Sequence, residues 1–289
     1  MKKDNKKDIK KEKCGIYKFF RTVLGPLYRF YYNPKIKGRE NIPKDGPIVV
    51  VGNHIHIMDQ CNPISVTKRC IHYMAKKEYF DKQYKEGKFP WFFKGAGCIP
   101  VDRSIKDSDA VDSALEVLND GYALGLFPEG TRNAVKESRA QELYDTYKKE
   151  LNMSFEMFYD GIKHEKTSQV DFFEELMKRR VIRREEFIDN IFIVDNVLRE
   201  LVRREKITEE EYYEHIFLPF KFGAVSMAHK TNALVVPFAT TGEYKFRSHN
   251  LNVVIGKPIK VSDNLEESNK KLRQEMIELY KDSLQMTEK

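Results

Sequence analysis

An imidazole and a carboxylate stand five positions apart in the stretch from Asn53 to Asp59. A regular helix turns by roughly 100° per residue, so it would not bring His54 and Asp59 onto one face. A loop that carries His54, followed by a helical turn that carries Asp59, would let the carboxylate accept a hydrogen bond from one ring nitrogen. That bond fixes the tautomer and leaves the other nitrogen free as a base. The stretch therefore predicts an oriented general base.

Four polar clusters follow predicted strands, and the first of them contains His54. The apolar run 47–51 is typical of a buried strand, and it ends just before Asn53. The other clusters begin at Lys76, Asp102 and Glu129, after apolar runs at 70–75, 98–101 and 122–127. Because helical patterns separate these runs, the sequence predicts an α/β fold with a mixed, mostly parallel sheet flanked by helices. Its functional groups are expected at one edge of the sheet.

The N-terminal region predicts a tail followed by a helical segment. Residues 1–13 are nearly all Lys, Asp and Glu, which predicts a charged flexible tail. Residues 14–33 interleave aromatic and aliphatic residues with Lys and Arg, which predicts amphipathic membrane-interface helices. Gly25 and Pro26 are expected to break or kink this segment. Packing of the segment on the protein's own core is the alternative interpretation.

A helical insertion at 134–217 is predicted to interrupt a catalytic region formed by 34–133 and 218–289. The insertion is rich in charged and aromatic residues with helical periodicity. Within it, residues 176–187 resemble residues 201–212. Each copy predicts a helix, a tight turn and the start of a second helix. Because no nucleophile and base are paired there, the insertion favours a structural or partner-binding role over a catalytic one.

Charge, cysteine content and the length of the apolar runs predict the kind of partner and the location of the protein. The 289 residues include 51 Lys and Arg against 44 Asp and Glu, a net charge of +7 that favours an anionic partner. The four cysteines, Cys14, Cys61, Cys70 and Cys98, show no metal-binding spacing and are expected to be reduced thiols. No apolar run approaches the roughly 18 residues of a membrane span, and no signal-peptide pattern follows the basic N-terminus. We therefore expect a peripheral protein at the cytoplasmic face of the cell membrane.

Four ordered motifs resemble those of the glycerolipid acyltransferases, most closely the bacterial 1-acyl-sn-glycerol-3-phosphate acyltransferases. The motifs are His54 with Asp59, then residues 97–103, residues 127–132 and residues 235–238. The resemblance covers about 36–132 and 218–279. It leaves out the tail and the insertion, because in the family the segment that matches 219–221 usually follows the third motif closely.

The resemblance implies the fold of that family and direct transfer of a fatty acyl group to a glycerol hydroxyl. The donor would be acyl-CoA or acyl carrier protein, with no acyl-enzyme and no further cofactor. His54 would be the base and Asp59 its orienting partner, and the substrate-binding residues would be Lys76, Arg103, Glu129, Gly130, Thr131 and Arg132. Lysophosphatidic acid would be the acceptor, with glycerol-3-phosphate or another lysophospholipid as the alternative. The other expected partner is an anionic membrane surface, and no nucleic acid is expected.

Two other functional classes compete with this interpretation. A metal-dependent hydrolase is one, since His54, His56 and Asp59 are all of metal-ligand type. Metal sites need three or four convergent ligands, however, and the remaining histidines are scattered along the chain. The other is a non-enzymatic protein that binds membranes or nucleic acid, although no nucleic-acid-binding motif accompanies the positive charge. We expect His56 to be structural or to support a residue that contacts the substrate.

Overall fold

The computed structural model describes residues 15–83, 90–102, 104–105 and 107–286. The predicted charged tail at 1–13 and the candidate Arg103 lie outside the described residues. The chain divides into two compact units. One consists of residues 1–130 and 221–289, which we call the catalytic unit, and the other consists of residues 131–220, which we call the insertion unit.

One sheet organises the catalytic unit, and it confirms the predicted mixed, mostly parallel arrangement. Its strands are β1 Lys35–Lys37, β2 Ile48–Gly52, β3 Ile71–Lys76, β4 Ile99–Val101, β5 Ala123–Leu126, β6 Leu234–Thr241, β7 Asn252–Ile255 and β8 Ile259–Lys260. Their order is β1-β7-β6-β2-β5-β3-β4, and β8 also pairs with β6. The run from β6 through β2, β5 and β3 to β4 is parallel. Strands β7 and β8 are antiparallel to β6.

The helices of the described residues flank this sheet or build the insertion unit. They are α1 Gly15–Tyr32, α2 Cys61–Ile64, α3 Pro90–Gly95, α4 Ser108–Asn119, α5 Glu137–Leu151, α6 Phe155–Ile162, α7 Thr167–Lys178, α8 Arg184–Asn190, α9 Val194–Arg203, α10 Glu209–Glu214, α11 Gly223–Thr231 and α12 Leu265–Gln285. Single 3-10 turns lie at Arg39–Asn41 and Lys77–Phe80. None of the helices in the described ranges is long and apolar enough to cross a membrane.

The central strand β2 carries the chain into the site. Its run of Ile and Val is buried along its whole length, as expected for a strand covered on both faces. At its last residue, a side chain on Gly52 would place its Cβ 2.1 Å from the Phe238 ring. Glycine is therefore needed there, because the ring of the neighbouring strand occupies the space where the chain leaves the sheet.

Helix α1 presents two unlike faces. Tyr17 and Tyr28 are buried, and Tyr17 packs with Cys70 in a small cluster. A second set of large apolar side chains on the same helix is exposed, namely Phe19, Val23, Leu24, Leu27, Phe30 and Tyr31. The helix is continuous through Pro26, so the residues from Gly15 to Tyr32 form one helix where the sequence predicted several. One face of the helix therefore packs on the protein, and the exposed apolar side chains lie on another face.

The two copies of the predicted repeat in the insertion unit share the same turn at the end of their first helix. Arg180 and Glu205, which are equivalent in the two copies, both have positive φ, at 59° and 56°. The amides that follow them donate to Leu176 and Leu201 at 2.9 Å in each case, which closes a Schellman turn at the end of each first helix. Buried aromatic side chains then anchor the second helices, Phe187 in one copy and Tyr212 in the other.

The cysteines differ from one another in their state. Cys61 and Cys98 are free thiols, whereas Cys70 is disulfide-bonded, so the prediction of reduced thiols is wrong for that residue. Burial raises the pKa of Cys61 to about 12, and the negative charge of Asp59 adds to the effect. Burial likewise raises the pKa of Cys98 to about 11. Both free thiols are therefore held in the protonated, weakly nucleophilic form.

Candidate active site

The candidate residues of the catalytic unit lie at one edge of the sheet. His54 follows β2, Lys76 ends β3, Asp102 follows β4 and Glu129 follows β5. These four strands are parallel neighbours in the order β2-β5-β3-β4. Parallel strands bring their carboxyl ends to the same edge, which is where ligands bind in open α/β sheets. The sheet topology thus explains why groups far apart in sequence converge.

His54 and Asp59 are paired by the loop between β2 and α2. His54 Nδ1 lies 2.9 Å from Asp59 Oδ2. The loop makes tight turns before α2 begins at Cys61, with the Asp59 amide donating to the His56 carbonyl at 3.1 Å. Since an ionised carboxylate can only accept, Nδ1 carries the proton and Nε2 is left as the basic nitrogen of the neutral ring.

The Asp59 carboxylate is fully buried, with 0% of the residue exposed. Besides the imidazole, its Oδ2 accepts from the amides of Ile55 at 2.7 Å and His56 at 2.8 Å. Its Oδ1 accepts from the Tyr244 hydroxyl at 2.7 Å. Donors of this kind compensate a charge that would otherwise be costly to bury. The carboxylate is therefore fixed in position as an acceptor for the imidazole.

Two residues of the Glu129 segment hold His54 from the other side. The Phe127 ring stacks on the imidazole with a centroid separation of 4.0 Å and an interplanar angle of 7°. The buried Glu129 accepts from the His54 backbone amide at 3.1 Å through Oε1. The family resemblance implies that Glu129 binds the substrate. The structure adds a contact that holds the histidine loop.

His56 belongs to the packing of the site. Its ring stacks on Tyr244 at a centroid distance of 4.3 Å, and its Nδ1 accepts from the Met58 amide at 3.3 Å. Among the described residues, no three His, Cys, Asp or Glu side chains are grouped so that they could hold a metal ion. The ring packing agrees with the structural role expected for His56.

An ion pair joins the ends of β3 and β4. Lys77 donates to Asp102 Oδ2, and the Ser104 amide donates to Asp102 Oδ1 at 2.9 Å. The hydrogen bond from Lys77, with the bonds from Ser104, lowers the pKa of Asp102 to about 2. The candidate Lys76 is half-buried at the last position of β3 and is in register with Val101. Lys77, which follows Lys76 in the chain, therefore keeps Asp102 ionised.

The glycine of the third motif has a backbone that other residues rarely adopt. Gly130 has φ +72°, and an added Cβ there would lie 2.7 Å from Lys221 Nζ. Lys221 also donates its backbone amide to the Pro128 carbonyl at 2.9 Å. The sequence did not single out Lys221, which adds a cation beside the Glu129–Gly130 turn. Thr131 and Arg132 are the first residues of the insertion unit, and Arg132 is exposed there.

A polar network behind Asp59 was not predicted from the sequence. Tyr244, in the segment after β6, accepts from Asn62 Nδ2 at 2.8 Å, and Asn62 Oδ1 accepts from the Tyr28 hydroxyl at 2.5 Å. Asn62 Nδ2 also donates to Thr240 Oγ1 at 3.1 Å. Because β6 lies beside β2 and is parallel to it, residues that follow β6 reach the same edge of the sheet as His54. The position of Tyr244 after β6 could therefore have identified it once the strand order was known.

Known proteins resemble this chain in sequence. Among curated proteins, the 1-acyl-sn-glycerol-3-phosphate acyltransferase of Bacillus subtilis is 29% identical over 120 residues, which are 41% of this chain and 58% of that protein. The protein of the same name from Borreliella burgdorferi is 32% identical over 109 residues, 36% of this chain and 41% of that protein. The chain thus matches less than two thirds of the length of either relative.

A solved structure and a family profile extend the comparison. The crystal structure of the 1-acyl-sn-glycerophosphate (LPA) acyltransferase PlsC from Thermotoga maritima matches with a TM-score of 0.52 and 17% identity. The match covers 96% of this chain and 80% of that one, and at this identity the likeness concerns the fold. The profile of the Acyltransferase family matches residues 33–241, which are most of the chain. This chain belongs to the acyltransferase family.

Proposed function

We propose that the chain transfers a fatty acyl group from acyl-CoA or acyl carrier protein to the free hydroxyl of 1-acyl-sn-glycerol-3-phosphate. The product would be phosphatidic acid, an intermediate of phospholipid synthesis. The observation that carries the proposal is the 2.9 Å contact between His54 Nδ1 and the buried Asp59 carboxylate. The names of the two bacterial relatives support this acceptor.

In the proposed reaction, His54 acts on a proton and forms no bond to the acyl group. Its Nε2 takes the proton of the acceptor hydroxyl as that oxygen attacks the thioester carbonyl carbon. The new C–O bond forms, the C–S bond breaks when the tetrahedral intermediate collapses, and the proton passes from His54 to the departing sulfur. Asp59 stabilises the imidazolium in between. General-base catalysis of this kind contributes about 10²–10⁴-fold.

The phosphate of the acceptor needs cations near the hydroxyl that reacts. We propose Lys76, Arg103 and Arg132 for this role, because a permanently charged guanidinium binds phosphate through two parallel hydrogen bonds. The positive φ of Gly130 supports a close approach of the backbone to the acceptor, and Lys221 beside it is a further cation. The remaining proposed contacts are the Thr131 hydroxyl and the Glu129 carboxylate.

An acyl-transfer assay with matched acceptors tests the proposal. The acceptors are lysophosphatidic acid, glycerol-3-phosphate and lysophosphatidylcholine, each offered with acyl-CoA and with acyl carrier protein. We expect lysophosphatidic acid to give the highest kcat/KM, and Arg132→Ala to raise the KM for it. Arg183→Ala, at another exposed arginine of the insertion unit, serves as the control. Acyl transfer to glycerol-3-phosphate or lysophosphatidylcholine alone would contradict the proposed acceptor.

We also propose that α1 attaches the protein to an anionic membrane surface, at the cytoplasmic face. Phe19, Leu27 and Phe30 are 61%, 58% and 62% exposed, which is far more apolar surface than a soluble helix face needs. The loop after β6 extends this surface, because Phe246 packs against Tyr31 at a centroid distance of 5.1 Å. Basic residues on the same helix favour anionic lipid headgroups.

Vesicle sedimentation tests the attachment. A triple variant, Phe19→Ser with Leu27→Ser and Phe30→Ser, should bind vesicles of anionic phospholipid more than tenfold less tightly, since each buried apolar side chain contributes about 1.5–3 kcal/mol. The control is Met157→Ser, which removes an equally exposed apolar side chain from the insertion unit. Equal binding by the triple variant and the wild type would count against this role of α1.

A further inference from the structure

The segment after β6 inserts a tyrosine beside the His54–Asp59 pair. The turn begins at Gly242, where φ is +87° and an added Cβ would lie 1.8 Å from the Asn250 carbonyl oxygen. This position therefore requires glycine. Two residues later, the Tyr244 ring stacks on His56 and meets the ring of Tyr32 on α1 edge-on at 5.5 Å. The ring is thus held between the histidine loop and α1.

The Tyr244 hydroxyl has a distinct position on the Asp59 carboxylate. Oδ2 is shared by the His54 ring and two backbone amides. Within the part of the chain that the structure describes, the Tyr244 hydroxyl is the one donor to Oδ1, at 2.7 Å. Without it, a buried carboxylate oxygen has no hydrogen-bond donor, and the group gains freedom to turn away from the imidazole.

The hydrogen bonds behind Tyr244 all run in one direction. Tyr28 donates to Asn62 Oδ1, Asn62 Nδ2 donates to the Tyr244 oxygen, and Tyr244 donates to Asp59. The direction is fixed because the carboxylate can only accept. Asn62 is fully buried and Tyr28 is nearly so. The far end of this chain of side chains is therefore on α1, the helix with the exposed apolar face.

We propose that Tyr244 is a positioning residue of the acyl-transfer reaction, and that Asn62 and Tyr28 link the Asp59 carboxylate to the placement of helix α1. This inference rests on the proposed function. A displacement of α1 moves Tyr28, which is the hydrogen-bond partner of Asn62. The change at Asn62 passes to its own partner Tyr244, and from Tyr244 to the orientation of the Asp59 carboxylate that holds His54. The reactivity of the pair thus depends on how α1 is seated on the protein.

The titration behaviour of Tyr244 is consistent with this role. Burial, with the negative charge of Asp59, raises its pKa well above the ordinary value of 10. Burial raises the pKa of Tyr28 as well. Both hydroxyls therefore keep their protons and remain donors throughout the pH range in which an enzyme of this class would be assayed.

Conservative variants test the proposal, because Tyr→Phe removes the hydroxyl and keeps the ring. Tyr244→Phe should lower kcat by about ten- to a hundredfold at unchanged KM for lysophosphatidic acid, since a hydrogen bond to a charged group is lost. Tyr28→Phe should lower kcat in the same way by a smaller factor. The matched control is Tyr32→Phe, which should retain kcat, because the Tyr32 hydroxyl makes no hydrogen bond among the described residues.

Nitrogen-15 NMR of the histidine rings gives a readout independent of turnover. In the wild type the proton of neutral His54 should reside on Nδ1, and in Tyr244→Phe the two tautomers should both be populated. Wild-type kcat together with an unchanged tautomer in Tyr244→Phe would overturn the proposal. If Tyr244→Phe does not fold, Tyr28→Phe decides by the same two measurements. If the wild type itself transfers no acyl group, the proposed function fails, while the NMR comparison still decides the positioning role.

Discussion

Replacing Asp59 by Asn removes the charge that faces His54 and changes little else in shape. The contact between Nδ1 and Oδ2 is 2.9 Å. Two unit charges at that distance, at an effective dielectric constant of 20, attract by about 6 kcal/mol, which corresponds to roughly 10⁴-fold in rate. Solvent reduces this, because 18% of the His54 side chain is exposed. A hydrogen bond to a charged group alone contributes about 1.5–3 kcal/mol, or roughly 10–10²-fold.

We therefore expect Asp59→Asn to lower kcat by about 10–10⁴-fold, with the hydrogen-bond value as the lower bound and the unscreened Coulomb value as the upper. The assay is acyl transfer to lysophosphatidic acid at saturating donor, with thermal unfolding measured on the same sample. The fold should survive, because an Asn oxygen at the Oδ2 position still accepts from the amides of Ile55 and His56. Asp112→Asn, at an exposed position of α4, is the control and should leave kcat unchanged. A folded Asp59→Asn protein with wild-type kcat would refute the role given to this carboxylate.

Three further predictions concern the rest of the catalytic unit. Iodoacetamide at pH 8 should leave Cys61 of the native protein unmodified, because its pKa is about 12; rapid native labelling would contradict this. NMR titration should give Asp102 a pKa of about 2, and this pKa should rise in Lys77→Met. The stability that the Lys77–Asp102 pair contributes is present above the ordinary carboxyl pKa and is lost as the pH falls towards 2. Gly52→Ala should lower the free energy of unfolding by about 1–3 kcal/mol, because the added methyl group clashes with the Phe238 ring. Gly25→Ala, in open space within α1, should not destabilise the protein. Equal melting temperatures for these two variants would refute the argument.

The sequence predicted the parts of the fold that depend on local pattern. The buried run of β2 and the polar residues after it were visible because β-branched residues and their abrupt end are local signals. The loop geometry of His54 and Asp59 followed from their spacing, since a helix would have kept them apart. The observed pairing at 2.9 Å agrees with that reasoning.

Other features depend on contacts between distant segments and were missed. The short edge strands β1 and β8 have two or three residues each, too few for a periodic signal. Helix α4 buries Ala110 and Ala114 while Val111 is exposed. A hydropathy pattern does not identify this buried face, because the larger side chain of Val111 carries more weight than either alanine. Helix α3 has six residues, which are too few for a helical period to stand out in the sequence.

Tyr244 shows most clearly what a single sequence could not provide. The segment after β6, which carries Tyr244, has neither strand nor helix periodicity. The Tyr244 hydroxyl reaches Asp59 only because β6 lies beside β2 in the sheet. Strand order is a property of long-range pairing, which no local pattern specifies. The residues that do chemistry were thus easier to find than the residues that hold them.

The measurement that tests the central claim most directly is acyl transfer by His54→Ala. The assay follows the formation of phosphatidic acid from lysophosphatidic acid with each donor, alongside the wild type and a His229→Ala control. His54 would act as the base, whereas His229 is an exposed residue of α11. We predict that His54→Ala keeps its fold and its vesicle binding and loses acyl transfer, while His229→Ala retains it. Wild-type turnover by a folded His54→Ala protein would contradict the account.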